Sequence, residues 1–322
     1  MATADTVIIV NPRARGGYVG QKWPRILPEL RSALGPLEAR FTESSGDATR
    51  LCREALAQGA GLVLALGGDG TASQVVAGFF PERPEVSGDP TQPALNQAPK
   101  ASFGFLPCGT GGDLRRTFDT PTDLARAAAA VMKAQPRPID VGQLDYTHLD
   151  GRPGRGYFIN IASCGIGGVI DDLVNRSGKW LGGSATFFAA SVKASLRYRN
   201  QRVRIQIDDD PAREERIYSL AVANGRYFGG GMKAAPDAQV DDGLFDVLTM
   251  GDLTFAQALL LGGYIYRGTH LSRPKISMTR ARRVAVTPVD SNEPVLLDVD
   301  GETPGRLPAT FTNLPRALSL RL

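Results

Sequence analysis

Three apolar runs in the first half of the chain each stop at a glycine-rich turn. TVIIV runs into NPRARGG (11–17), LVLAL into GGDGT (67–71), and SFGFLP into CGTGGDL (108–114). Helical patterns over 23–34, 47–58 and 71–80, with the short run LEARFT, fill the intervals. Short strands alternating with helices predict a parallel sheet flanked by helices, with ligands expected beyond the carboxyl ends of the strands. Glycine there tolerates positive φ and admits a ligand to the main chain. The N–H groups of such turns, with threonine hydroxyls beside them, are donors suited to phosphate oxygens. One such turn is weak evidence, because most merely connect a strand to a helix. Three in one sheet point to an anionic ligand.

After IDVG (139–142) the pattern changes. GYFINIAS, RVRIQID, RIYSLAVAN, GLFDVLTM, KISMT, RRVAVTP and VLLDVDG mostly alternate with period two, with short turns between them. They predict a mostly antiparallel second domain, a β-sandwich over 143–309, with helical segments near 184–198 and 253–264. The first domain spans 1–142, and the terminal segment 310–322 is a candidate to complete it. The stretch 81–100, rich in Pro, Gly and polar residues, reads as a long surface loop. There is no internal repeat.

At 322 residues, 42% of them hydrophobic, the chain has length for two domains and their cores. Its net charge of +4 is a mild excess that permits an anionic partner and argues little for nucleic acid. Cys52, Cys108 and Cys164 are widely spaced, odd in number and form no CxxC pair, so they indicate neither a zinc site nor a disulfide framework and fit a reducing cytosol. No apolar run approaches a membrane span or a signal peptide. His148 and His270 are the only histidines and no nucleophile motif lies near either, which argues against a Ser-His-Asp or zinc mechanism.

Several residues carry two readings. Asp69 is either a cap on the helix that follows or part of a phosphate site. Asp140 is a boundary turn or a contact to an acceptor head group. Asp237, Asp241 and Asp242 are solvated turn charges or metal ligands. Cys108 is loop filler or a reactive thiol, and the stripe Phe187, Phe188, Val192, Leu196 and Tyr198 is core or a lipid-entry surface.

Taken together, NPRARGG, TESSGDA (42–48), GGDGT, LPCGTGGDLRR, the block ANGRYFGGGMKAAPDAQVDDGLFDV (223–247) and VDGE (299–302) resemble, in order and spacing, the motifs of the diacylglycerol kinase catalytic-domain superfamily. That group includes bacterial diacylglycerol and phosphatidylglycerol kinases and the sphingosine and ceramide kinases. The resemblance implies ATP-dependent phosphorylation of a lipid hydroxyl, with Mg²⁺, in a cleft between an α/β domain and a β-sandwich.

By the same resemblance Asn11, Thr42, Gly67, Gly68, Asp69, Gly70, Thr71, Ala72, Ser73, Thr110 and Asp113 hold the nucleotide. Asp300 is the general base, although Asp-Gly alone reads as a hairpin turn. Asp69 faces the catalytic metal and Glu302 shares it or contacts the nucleotide. A structural magnesium site built from two main-chain carbonyls and one carboxylate falls, by the same resemblance, on Gln239, Asp242 and Leu244. The sequence departs from the family pattern at Arg15, at Gly112, and at Ser73 and Gln74, where the family carries Asn-Glu. A lipid at a membrane surface is the expected partner, reached transiently from the cytoplasm, and a homodimer is the default assembly. Two rivals stand beside this reading. One is a NAD kinase-like enzyme, which shares GGDGT; the other is a nucleotide-binding protein that has lost catalysis.

Overall fold

The computed structural model describes residues 5–81, 93–170, 196, 198–290 and 294–322. Chain order gives β1 (Thr6–Val10), α1 (Ala14–Leu34), β2 (Glu38–Phe41), α2 (Asp47–Ala57), β3 (Leu62–Gly67), α3 (Asp69–Ala77), β4 (Ser102–Pro107), α4 (Asp113–Thr117), α5 (Leu124–Lys133) and β5 (Arg137–Thr147). Then follow β6 (Pro153–Phe158), β7 (Ile161–Gly165), β8 (Gln201–Ile207), β9 (Arg213–Ile217), β10 (Ser219–Ala223), β11 (Phe245–Met250), α6 (Phe255–Arg267), β12 (Ile276–Ala281), β13 (Arg283–Pro288), β14 (Leu297–Val299) and β15 (Arg306–Leu320). The chain divides into two compact units, Met1–Val141 with Leu314–Leu322, and Gly142–Asn313.

In the first unit β2, β1, β3, β4 and the end of β15 lie side by side in that order, all parallel. Every residue of β1, β3 and β4 is buried, as expected of parallel strands covered on both faces. Ile8 and Val10 of β1 with Leu62, Leu64 and Leu66 of β3 pack against Val19, Ile26, Leu30 and Leu34 of α1 and Ala127, Ala128 and Val131 of α5. The alternate strand residues Val7, Ile9, Val63 and Ala65 are equally buried beneath the opposite face.

Differences from the sequence expectation have local causes. Helix α1 starts at residue 14 but is broken at Arg15, Gly16 and Gly17, all at positive φ, so only its later turns match the expected 23–34. Helix α3 begins at Asp69, two residues earlier than expected. Helices α4 and α5 were not expected; α5 is an alanine-rich helix whose N-cap Asp123 accepts the Arg126 N–H at 2.9 Å. Asp140 is no boundary turn. It lies mid-strand in β5, fully buried, and accepts the Arg316 N–H at 2.7 Å.

The second unit is a sandwich. β12, β11, β10, β7 and β14 form an antiparallel sheet, while β9, β8, β13 and the first part of β15 pair antiparallel in that order. Between them Val203, Ile205, Val284, Val286 and Phe311 meet Cys164, Leu220, Val222, Phe245, Val247 and Leu297. The alternate residues of the first sheet, among them Ala221, Ala223, Leu248 and Met250, pack under Leu261 and Ile265 of α6. The stripe 187–192 lies outside the described residues; Tyr198 rests edge-on against Tyr218, ring centroids 5.7 Å apart.

Candidate active site

Strand order reverses between β1 and β3, so the chains leaving these strands depart to opposite sides of the sheet and open a crevice at their carboxyl ends. Asn11 stands at this point. Its N–H donates to Leu66 O at 3.0 Å, its Oδ1 accepts the Arg13 N–H at 3.0 Å, and its Nδ2 donates to Thr71 Oγ1 at 3.2 Å. The first and second loops are thereby joined across the switch point. Thr71 is buried, so its hydroxyl serves this bond within the protein.

The second and third loops touch through their main chains. Cys108 N–H donates to Gly67 O at 2.7 Å. A Cβ on Gly109 would lie 2.5 Å from Gly68 Cα, and one on Gly67 would lie 2.5 Å from Thr71 Oγ1. Neither residue has positive φ; among the glycines of these two loops only Gly112 does, at 70°. Close approach of main chain to main chain at Gly109, and of the Thr71 side chain to the main chain at Gly67, therefore requires these glycines, before any ligand is considered.

The carboxylate of Asp69 is where this packing leads. It opens α3 but caps a different helix: Oδ2 accepts the Asp113 N–H at 2.9 Å, and the N–H groups of Gly112 and Leu114 also bond the carboxylate. Its Oδ1 is buried without a hydrogen-bond partner. Burial pushes the Asp69 carboxyl above its ordinary range, against the pull of those N–H groups and of Arg116. Arg116, which sequence reasoning passed over, ties the third loop together by donating to Gly111 O at 2.6 Å and Asp113 Oδ1 at 3.0 Å. Thr110 is exposed at the tip, Ser73 is half-buried, and the side chain of Ala72 is core. Cys108 is buried, and burial raises its thiol, which fits the reading of it as loop filler.

Thr42 follows β2 and its N–H donates to Val10 O at 3.0 Å, which sets it beside the end of β1. The segment after it is held by Asp47, whose Oδ2 accepts the N–H groups of Glu43 and Ser44, each at 2.8 Å. Gln74 spans from α3 to this segment: its Oε1 accepts the Gly46 N–H at 3.2 Å and its carbonyl accepts Thr49 Oγ1 at 2.8 Å.

In the second unit Asp300 and Gly301 both have positive φ, 48° and 87°, in a two-residue hairpin closed by Val299 N–H to Glu302 O at 2.8 Å and Glu302 N–H to Val299 O at 3.0 Å. The hairpin is fixed to β7. Asp300 N–H donates to Ile161 O at 3.1 Å and its Oδ1 accepts the Ile161 N–H at 3.0 Å. Asp298, another residue the sequence did not single out, accepts Gly301 N–H at 3.0 Å and Ser163 Oγ at 3.2 Å. Asp300 thus combines the turn geometry and a carboxylate held in one orientation; Glu302 is exposed beside it.

The two metal sites implied by the sequence differ in fit. At Asp69 a buried carboxylate oxygen without a partner fits a hydrated cation. At Asp242 both oxygens are engaged: Oδ1 accepts the Leu244 N–H at 3.0 Å and Oδ2 pairs with the Arg280 guanidinium. A protein cation already stands at that carboxylate, and the set does not fit a magnesium ion in this arrangement. Among the described residues no group of three His, Cys, Asp or Glu is placed to hold a metal.

Comparison with known proteins adds a second line. The sequence family described as the diacylglycerol kinase catalytic domain matches residues 5–144, and that described as the YegS C-terminal NAD kinase beta sandwich-like domain matches residues 160–322. The chain is 30% identical over 313 residues to the diacylglycerol kinase of Bacillus subtilis (strain 168), covering 96% of this chain and 93% of that protein. It is 33% identical over 235 residues, 71% of this chain and 68% of the relative, to the "Probable lipid kinase YegS-like" of Chromohalobacter salexigens. A crystal structure of a diacylglycerol kinase from Bacillus anthracis str. Sterne superposes with a TM-score of 0.67 at 22% identity, over 98% of this chain and 96% of that one. A second crystal structure from the same organism reaches 0.75 at 23% identity, over 100% and 96%. At that identity the superposition speaks for the fold.

Proposed function

Because the chain belongs to the diacylglycerol kinase catalytic-domain family, we propose that it transfers the γ-phosphate of ATP to a hydroxyl group of a membrane lipid. The observation that carries the reading is the convergence of three glycine-rich loops at the sheet's switch point, tied Asn11 to Thr71 and Asp69 to Asp113. The first N–H groups of α3, at Asp69, Gly70 and Thr71, precede the first main-chain bond of that helix, from Ala72 to Gly68 O, and so offer donors and a positive dipole end to phosphate oxygens. Thr110 and Thr42 supply further contacts at the rim.

Magnesium, bound with the nucleotide, supplies neutralisation of the triphosphate charge, and Asp69 through Oδ1 is the residue that would hold it. In the transfer the lipid hydroxyl oxygen forms a bond to the γ-phosphorus, the bond to the β–γ bridging oxygen breaks, and ADP leaves. Asp300 takes the hydroxyl proton. Its fixed orientation supports that role, because a base held by a main-chain N–H presents its second oxygen in one direction.

Incubation of the purified chain with γ-labelled ATP, Mg²⁺ and a total lipid extract, followed by identification of the labelled product, tests catalysis and acceptor together. Label in a lipid is the expected result. Label in NAD⁺ supplied alongside, with none in lipid, would move the chain to the dinucleotide kinases. ATP binding without transfer to any acceptor would leave a binding protein.

A further inference from the structure

Helix α6 is inside out for a surface helix. Of its 13 residues only Leu261 and Ile265 are buried. Its solvent side carries Leu260 at 71% exposure, Leu259 at 57%, Tyr266 at 54% and Phe255 at 38%, and Leu271 just beyond it is 37% exposed. An ordinary surface helix turns charged and polar residues to that side; α6 contains no Asp, Glu or Lys at all, and its one charge is the terminal Arg267. The helix does not owe its existence to what covers this face. Thr254 and Gln257 form a capping box at its start, and Gly268 at φ 70° ends it. Large apolar side chains on a helix so well defined mark an interaction site.

Charge around the helix says what kind. From residue 253 to residue 289 there is no Asp or Glu, while Lys or Arg occurs at 267, 273, 275, 280, 282 and 283. Three of these flank α6. Arg267 ends it, the Arg273 guanidinium stacks 4.1 Å over the ring of Tyr264, and Lys275 Nζ reaches back to Gln257 Oε1 at 3.2 Å near the helix start. Arg280, by contrast, is paired with Asp242.

We propose that the outer face of α6 docks on a bilayer surface that carries anionic headgroups. Leucines and aromatic rings enter the boundary between headgroups and acyl chains, and Arg267, Arg273 and Lys275 stay at the level of the phosphates. A second copy of the chain is a poorer occupant, since two such faces would bring like charges together. The proposal rests on the lipid-kinase reading for its choice of occupant and extends it: it assigns the surface by which the enzyme reaches an acceptor that stays in the membrane.

The test is flotation of the full chain with vesicles of phosphatidylcholine alone and of phosphatidylcholine with phosphatidylglycerol. The expected result is binding to the anionic vesicles that weakens as salt is raised. L259E/L260E, changes at exposed positions, should weaken it by about tenfold or more, and R267Q/R273Q/K275Q by on the order of 10²-fold. Equal binding of wild type and L259E/L260E, or wild-type binding indifferent to the anionic lipid, overturns the proposal. So does a dimer in solution that L259E/L260E dissolves, because the face then belongs to a second copy. Phosphorylation of a short-chain diacylglycerol in detergent micelles should be the same in wild type and L259E/L260E. Loss of that activity in the wild type as well would count against the kinase reading, which the flotation result does not measure.

Discussion

Asp69 Oδ2 accepts the backbone N–H of Asp113, 44 positions further along the chain, at 2.9 Å. One carboxylate thereby sets the third loop against the second, and burial raises its pKa. A raised folded-state value means that the contribution to stability is fully present below the ordinary 3.8 and is lost as pH rises through the folded value. Relative to its protonated form, the ionised carboxylate costs the folded chain stability. Asp69→Asn keeps an acceptor oxygen and removes the charge. It should melt at or above the wild-type temperature at pH 7, with the advantage fading on acidification, while kcat/KM falls on the order of 10²-fold. A lower melting temperature for this variant at pH 7 would contradict the assignment.

The glycines of this chain are not interchangeable, and two alanine substitutions should move stability in opposite directions. At Gly109 the new Cβ would meet Gly68 Cα at 2.5 Å, main chain against main chain. Gly109→Ala should destabilise by about 1–3 kcal/mol and weaken nucleotide binding. At Gly263, inside α6, a Cβ meets nothing within 4 Å. Gly263→Ala should stabilise by about 0.5–1 kcal/mol through helix propensity. Chemical denaturation of both variants reads the two signs directly.

What the sequence made legible follows from range. β1, β3 and β4 are continuous apolar runs buried on both faces, and the turns that end them are punctuated by glycine, so strands and loops were readable locally. The partner of Asp69 was not, because the bond joins loops that only the sheet order brings together. Thr71 read as a phosphate donor because its hydroxyl suits one; the bond to Asn11, 60 positions away, turns it inward. Asp140 read as a boundary turn or a head-group contact because IDVG stands where the pattern changes, whereas β5 runs through it to Thr147. The basic, acid-free segment 253–289 was present in the sequence but diluted in a net charge of +4.

Asp300 separates geometry from chemistry. Its φ of 48° suits Asn as well as Asp, and an amide oxygen can keep the bond from the Ile161 N–H. Asp300→Asn should therefore fold and bind ATP like the wild type, with kcat lower by roughly 10²–10⁴, the range of a lost general base. Calorimetric titration of nucleotide beside steady-state turnover makes the comparison. Unchanged turnover would remove Asp300 from the reaction.

Arg280 and Asp242 bear on a metal expected from the sequence. If the guanidinium supplies the positive charge at that carboxylate, added magnesium or a chelator should leave the melting temperature of the nucleotide-free chain unchanged. Arg280→Gln removes an ion pair whose arginine side chain is about half exposed, so the loss should be small, below about 1 kcal/mol. The informative arm is the variant with magnesium. With the guanidinium gone, Asp242 regains an open oxygen beside the 239–244 turn, and millimolar magnesium should then raise the melting temperature. A chelator that lowers the wild-type melting temperature would mean that the carboxylate holds a metal in the native protein and that Arg280 is not its substitute.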